Sequence, residues 1–188
     1  MLKLSLDEIV KGSRGRLLLN NDLNDIEYIS TSSKDIKENT LFIPIKGEKY
    51  DGHDFLNDAY NNGCRMFLID KNHEFYKKDI SLIEVDDTLL SLGSLARFYL
   101  DKFDIDVIGV TGSVGKTSTR DIIYSVLNEK YKTLKNELNY NNEIGIPKTL
   151  FNLDYSYDKA VIEMGLSKKG DISFLKTIAP LKHAVISN

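Results

Sequence analysis

The sequence predicts an α/β protein in two parts: a small mixed α/β domain over residues 1–84, then a partial parallel-sheet domain of the P-loop kind over residues 85–188. Three observations predict it. Short runs rich in Val, Ile, Leu and Phe alternate with helical patterns, as parallel strands with crossover helices do. A glycine-rich turn joins one such run to a helix between Val107 and Thr119. A helix capped by Asp86 or Asp87 and reaching about Lys102 carries Leu89, Leu92, Leu95, Ala96 and Tyr99 at helical spacing. No Pro- or Ser-rich linker flanks it, so it is the candidate bridge between the domains.

In the first part, Ser5 and Glu8 stand three residues apart and form a capping box for a short helix over 5–11. Arg16 to Leu19 reads as a brief strand, Asn20 to Asp25 as a polar turn, and Ile26 to Ser30 as a weak alternating strand. A polar loop follows. Leu41 to Ile45 is a strand, and Pro44 within it predicts an edge position or a bulge, because proline cannot donate to a ladder. The polar loop 46–54 holds two glycines. A helix starts near His53 or Asp54, runs to about Asn62 and is closed by Gly63. Met66 to Ile69 is a strand, Lys71 to Lys78 a loop or short helix, and Ser81 to Val85 a strand.

The second part repeats strand and helix. Strands are expected at Val107 to Val110, Tyr131 to Leu134, Lys159 to Glu163 and Ala184 to Ile186. Helices are expected from about Lys116 to Asn128 and from Asp171 to Ile178. Glu143 to Leu153 reads as partly helical, with Pro147 harmless in a first turn. A sheet of four parallel strands looks unfinished, since such sheets are usually covered and extended on both sides. The chain is therefore expected to be part of something longer, with an open sheet edge through which it could pair with a second copy.

Composition excludes several classes. Lys and Arg number 25 against 28 Asp and Glu, a formal charge of −3, which argues against a general nucleic-acid or anionic-membrane surface. No apolar run is long enough to cross a bilayer, and the acidic residues near the start do not fit a signal peptide. Cys64 is the only cysteine, so no intrachain disulfide can form and a cytoplasmic setting is expected. Its place at a helix-to-strand junction predicts a buried structural thiol.

The chemistry lies between Val107 and Thr119. A strand enters a turn containing Gly112, Ser113 and Gly115, and Lys116, Thr117 and Ser118 open the helix. Backbone N–H groups in such a turn converge on phosphate oxygens, and the helix start adds its own. Lys116 can reach the β/γ-phosphates and the Thr117 hydroxyl can hold Mg²⁺. One feature departs from the strict pattern: Val110 stands where a glycine is expected, and the nearest is Gly109. Glu163 ends an apolar strand, and ligands in such sheets gather at the strands' carboxyl ends, so it is the candidate metal carboxylate. Asn139 to Pro147 packs Asn139, Asn141, Asn142 and Glu143 together, which suits either a loop gripping a polar ligand or a polar surface turn. His53 has no second His or Cys at useful spacing and reads as a helix-start or packing histidine. His73 and His183 are unremarkable.

These segments together resemble the Mur ligases, the ATP-dependent amide-forming enzymes of peptidoglycan precursor synthesis. The resemblance is carried by Ile29 to Lys34, Leu41 to Glu48, Asp51 to Phe55, Gly109 to Thr117, Asn139 to Pro147, Glu163 to Gly165 and Ala184 to Asn188. The Asn139 to Pro147 segment points to the branch that adds D-alanyl-D-alanine to UDP-N-acetylmuramoyl-tripeptide. The resemblance implies that the first domain holds the uridine nucleotide through Ser30, Thr31, Ser33, Lys46 and the 46–54 loop with His53. It implies that the second binds ATP at Gly112, Ser113, Gly115, Lys116, Thr117 and Ser118. Lys116 and Glu163 would be catalytic, Thr117 and Glu163 would hold Mg²⁺, and Asn141, Asn142 and Glu143 would shape the substrate cleft. It also implies that this chain alone is not a working ligase, since the family has a further domain and a modified lysine that lie beyond residue 188.

The departures are Ser32 and Lys34, where the family usually has Asp and Arg, Val114, where it often has Asn, and Lys168, where some members carry a histidine. Lysine lacks the bidentate fork of arginine, so the contacts of Lys34 differ in kind. The alternatives are a nucleotide-binding or scaffolding relative without ligase activity, a sister Mur ligase adding another amino acid, or a different P-loop kinase or NTPase.

Overall fold

The computed structural model describes residues 1–188 except Asn24, Leu138 and Lys168. The expectation concerning Lys168 therefore falls outside the described residues. The chain forms two compact units, Met1–Leu95 and Ala96–Asn188. The division falls inside the helix read as a bridge.

The first unit opens with α1 (Leu6–Ser13), whose capping box is complete: the Ser5 hydroxyl accepts from the Glu8 N–H and the Glu8 carboxylate accepts from the Ser5 N–H. Five strands follow: β1 (Arg16–Leu19), β2 (Tyr28–Ser30), β3 (Thr40–Phe42), β4 (Met66–Asp70) and β5 (Ser81–Val85). They lie in the order β1-β5-β4-β3-β2, with β1 antiparallel to β5 and the other pairs parallel. The central β4 is buried on both faces, which is why it reads as an unbroken apolar run. A 3₁₀ turn over Gly52–Phe55 leads into α2 (Leu56–Asn61). Phe42, Leu56, Ala59, Phe67 and Leu82 form the core here, with Cys64 among them. The Cys64 thiol donates to the Thr40 and Met66 carbonyls, and burial pushes it up to about 11.

The expected edge position of the Pro44 strand is corrected. β3 is an interior strand between β2 and β4, and it ends at Phe42, before the proline. The ladder closes with the Ile43 N–H on the Ser30 carbonyl, so the missing donor at Pro44 ends the strand without displacing it outward.

Helix α3 (Thr88–Leu100) spans the division between the units. The second unit holds β6 (Asp106–Gly112), α4 (Lys116–Asn128), β7 (Thr133–Lys135), α5 (Gly145–Leu150), β8 (Lys159–Glu163), α6 (Asp171–Ile178) and β9 (His183–Ser187). Its strands lie in the order β7-β8-β6-β9, all parallel. Ile108, Val110 and Val161 form a core cluster under Ile123 and Leu127 of α4. Tyr99 is fully buried against Phe103 and Phe151 and donates its hydroxyl to the Leu153 carbonyl at 2.6 Å. β9 is an edge strand and leaves Ile186 80% exposed. No helix among the described residues is long and apolar enough to cross a membrane.

Candidate functional site

The phosphate loop forms where the sequence places it. β6 ends at Gly112, three residues turn, and α4 starts at Lys116. Gly112 has φ +143 and Gly115 φ +80, conformations that glycine adopts without penalty. A Cβ on Gly112 would also stand 2.1 Å from the Ser187 carbonyl oxygen, so β9 passes too close for any side chain. The displaced glycine has a packing cause: a Cβ on Gly109 would meet Leu181 at 2.4 Å, while Val110 is wholly buried in the sheet core. The first turn of α4 contains no acidic residue, so nothing there opposes an anion at its N–H groups. The Lys116 ammonium folds back on the loop and donates to the Gly112 carbonyl at 2.8 Å. Ser113 and Ser118 are exposed. The Val114 N–H is taken by the Asn188 carbonyl, and its side chain is exposed.

Glu163 ends β8 in register with Val110, so the sheet carries it to the loop. It is 5% exposed. One carboxylate oxygen accepts from the Thr117 hydroxyl at 2.8 Å, the other from the Asn141 amide at 3.0 Å. The Arg120 guanidinium lies 3.5 Å from the first oxygen and is itself 3% exposed. Burying a carboxylate this deeply is costly unless it is paired and hydrogen-bonded. Arg120 also donates to the Asn136 carbonyl and to Asp121, whose carboxyl is held below its ordinary value by Lys135 first, with Arg120 acting in the same direction.

The oxygens of Thr117 and Glu163 fit Mg²⁺. Both are hard donors, and their 2.8 Å separation is close to the edge of an octahedron with bonds of about 2.1 Å, roughly 3.0 Å. Of the 139–147 segment, Asn141 reaches Glu163 directly. The exposed Asn142 instead accepts from the Ile144 and Gly145 N–H groups and so supports the start of α5. Both line a small cavity of about 60 Å³ whose walls include Glu143, Gly165 and Phe174.

The first unit carries its own cavity, of about 690 Å³. Thr31, Ser32, Ser33 and Lys34 line it, as do Gly47 to Tyr50 of the loop, with Phe42 and Phe55 among the apolar walls. Ser30, Lys46 and His53 are not on its walls. The Ser30 hydroxyl bonds the Ser32 backbone and shapes the turn. Lys46 bridges to Asp51 through its backbone.

His53 is buried behind the loop and works as a clamp. Its Nε2 accepts from the Asp70 N–H at 3.2 Å, so its proton sits on Nδ1 and is donated to Asp51 at 2.6 Å. His73 stacks on it with ring centroids 3.6 Å apart and planes 8° from parallel. Asp51, His53 and His73 gather potential ligand atoms within 4.8 Å, yet they do not suit a metal ion. Ring lone pairs lie in two parallel planes, and Nδ1 ligation would demand a proton on the nitrogen that already accepts from Asp70.

Sequence reasoning missed Asn136 and Arg120 behind Glu163, and Phe42 and Phe55 in the first cavity. Arg120 stands four residues after Lys116 and so one helical turn along the same face, which was a legible signal. Asn136 had none.

Comparison with known proteins accounts for both units. Residues 25–100 match the Mur ligase family, catalytic domain, and residues 110–188 match the Mur ligase middle domain. The chain belongs to the Mur ligase family. Among Mur ligases it is 41% identical to the UDP-N-acetylmuramoyl-tripeptide–D-alanyl-D-alanine ligase of Bacillus subtilis over 87% of this chain and 36% of that protein. It is 36% identical to the Synechocystis ligase of the same name, over 99% of this chain and 42% of that one. The chain thus spans about two fifths of the length of the curated relatives it matches. A crystal structure of MurF from Acinetobacter baumannii superposes with a TM-score of 0.91 at 27% identity, over 99% of this chain and 41% of that one. MurF ligase from Thermotoga maritima in complex with ADP gives 0.75 at 34% identity, over 82% of this chain and 35% of that one. The Mur ligase middle domain contains the phosphate loop, the 139–147 segment and Glu163.

Proposed function

We propose that this chain carries the substrate-nucleotide and ATP-phosphate sites of a ligase that joins D-alanyl-D-alanine to UDP-N-acetylmuramoyl-tripeptide in peptidoglycan precursor synthesis. The observation that carries the reading is the Thr117–Glu163 hydrogen bond, which ties the phosphate loop to a buried carboxylate at the carboxyl end of the neighbouring strand. The loop N–H groups and Lys116 hold the phosphates of ATP, Lys116 leaving the Gly112 carbonyl to do so. Thr117 and Glu163 would hold Mg²⁺, which would supply positive charge against the phosphates. The substrate carboxylate attacks the γ-phosphorus and ADP leaves. The amine of D-alanyl-D-alanine then attacks the acyl carbon of the resulting acyl phosphate and inorganic phosphate leaves.

The first cavity suits the uridine-diphosphate end of the substrate. Tyr50 and Phe55 offer exposed rings, 72% and 39%, to a base, and Thr31, Ser33 and Lys34 offer donors to ribose and phosphate. Ser30, Lys46 and His53 then shape that wall from behind. The single buried thiol accords with a cytoplasmic setting. The open edge of β9 supports pairing with a second copy, which sedimentation velocity would register as a concentration-dependent dimer.

The test is calorimetric titration of the chain with ATP and Mg²⁺, alongside Lys116→Ala. Binding that the variant loses is the expected result. A folded chain that binds no ATP would overturn the assignment of the nucleotide site.

A further inference from the structure

We propose that Asn136 is the positioning residue for Glu163, fixing the carboxylate at the edge of the metal site. The inference rests on the nucleotide and Mg²⁺ reading above. Asn136 follows the last residue of β7 and is 0% exposed. Burying an amide so completely is costly unless each polar atom is matched. Here each is, and two of the three bonds fall on one residue. Its Oδ1 accepts from the Glu163 N–H at 2.9 Å, and its Nδ2 donates to the Glu163 carbonyl at 3.0 Å.

The side chain thus stands in for a ladder partner. The β7–β8 register ends at Lys135 opposite Val161, short of Glu163, while β6 already pairs Glu163 on its other side through Val110. On the β6 side the Val110 carbonyl accepts from the Met164 N–H, so the N–H and carbonyl of Glu163 both face β7, and Asn136 takes both. The second Nδ2 hydrogen goes to the Tyr140 carbonyl at 2.8 Å and pins the turn that carries Asn141, whose amide holds the Glu163 carboxylate. Arg120 completes the arrangement. One of its nitrogens donates to the Asn136 carbonyl at 2.8 Å and lies 3.5 Å from the Glu163 carboxylate. One amide therefore sets the main chain, and through Asn141 the side chain, of the residue that faces Thr117 across 2.8 Å. Groups that orient metal ligands in this way typically change metal affinity tenfold to a hundredfold when removed.

The experiment measures ADP binding with Mg²⁺ and with EDTA, for the chain and for Asn136→Ala, Asn136→Leu and Glu163→Gln. Leucine keeps the branched shape of asparagine without its hydrogen bonds and is somewhat bulkier, so it covers the case in which a cavity unfolds the alanine variant. Metal-free ADP reports an intact phosphate loop. The expected result is unchanged metal-free binding and a loss of roughly tenfold or more in the strengthening by Mg²⁺, in the direction of Glu163→Gln. Equal losses with and without metal would mark a general packing role and overturn the proposal. So would a variant that keeps the full Mg²⁺ effect, or variants that all fail to fold, which would make Asn136 a stability residue. If the parent chain binds ADP but gains nothing from Mg²⁺, the metal role of Glu163 falls and this inference with it. If it binds no ADP in either condition, the nucleotide reading itself fails.

Discussion

Replacing Gly112 by alanine separates two costs that usually arrive together. At φ +143 an L side chain is strained by about 1–2 kcal/mol. The new Cβ would also lie 2.1 Å from the Ser187 carbonyl oxygen and 2.4 Å from its hydroxyl, where approaches under 3.0 Å essentially do not occur. Backbone cannot rotate away as a side-chain tip can. The last pair of the β6–β9 register, Gly112 with Ser187, must open, an overpacking cost of about 1–3 kcal/mol. Gly170 is the internal control. It lies in the same unit at φ +105, with nothing within 4 Å of an added Cβ, so Gly170→Ala carries the strain alone. Urea unfolding followed by far-UV circular dichroism should place Gly112→Ala about 1–3 kcal/mol below Gly170→Ala. If the two differ by less than about 0.5 kcal/mol, the approach of β9 is not what makes residue 112 a glycine.

Two further outcomes follow from titrating groups. Asp106 is held down to about 2, first by its hydrogen bond with Lys159 and then by Lys182 at 2.6 Å. A depressed carboxyl contributes stability above its ordinary value of 3.8 and loses it as pH falls toward 2, so the deficit in melting temperature of Asp106→Asn should be present at pH 6 and fade between about 4 and 2; a deficit constant across that window would refute the ion-pair origin. Cys64, pushed up to about 11 by burial, should react with a thiol-exchange reagent at pH 8 only as fast as the protein unfolds, and prompt stoichiometric labelling of the native chain would contradict its placement.

How much was legible depended on how local the cause was. The bounds of α4, Lys116 to Asn128, were readable because glycine, lysine and the helical repeat lie side by side in sequence. The Ser5–Glu8 box and the buried thiol were likewise local. Pro44 misled because the rule about proline in strands presumes that the strand reaches it. His53 was read as a packing residue, but its partner His73 lies twenty residues on and carried no signal of its own. Asn136 was invisible for the same reason at larger scale. Its two bonds to Glu163 exist only after the sheet has placed β7 beside β8. The Glu163 network was half legible: a polar residue closing an apolar strand is conspicuous, and the spacing of Arg120 from Lys116 put it on the same helix face, but its burial beside Glu163 follows only from the helix packing over the sheet.

The pairing of β1 with β5 has a consequence for the order in which the first unit can be made. Arg16 meets Glu84, so the first strand to leave a ribosome waits for the last strand of its sheet. α1 can form at once, since its capping box is closed within four residues. β2, β3 and β4 pair only with near neighbours in the chain and can assemble as they emerge. β1 has no partner until β5 is out, at roughly 5–20 residues per second a wait of several seconds. During that interval Leu17 and Leu19 are apolar surface without a sheet to cover them. A chain stalled before residue 81 therefore holds a nearly complete parallel core and an orphaned strand, the state most prone to capture by a chaperone or by another nascent chain.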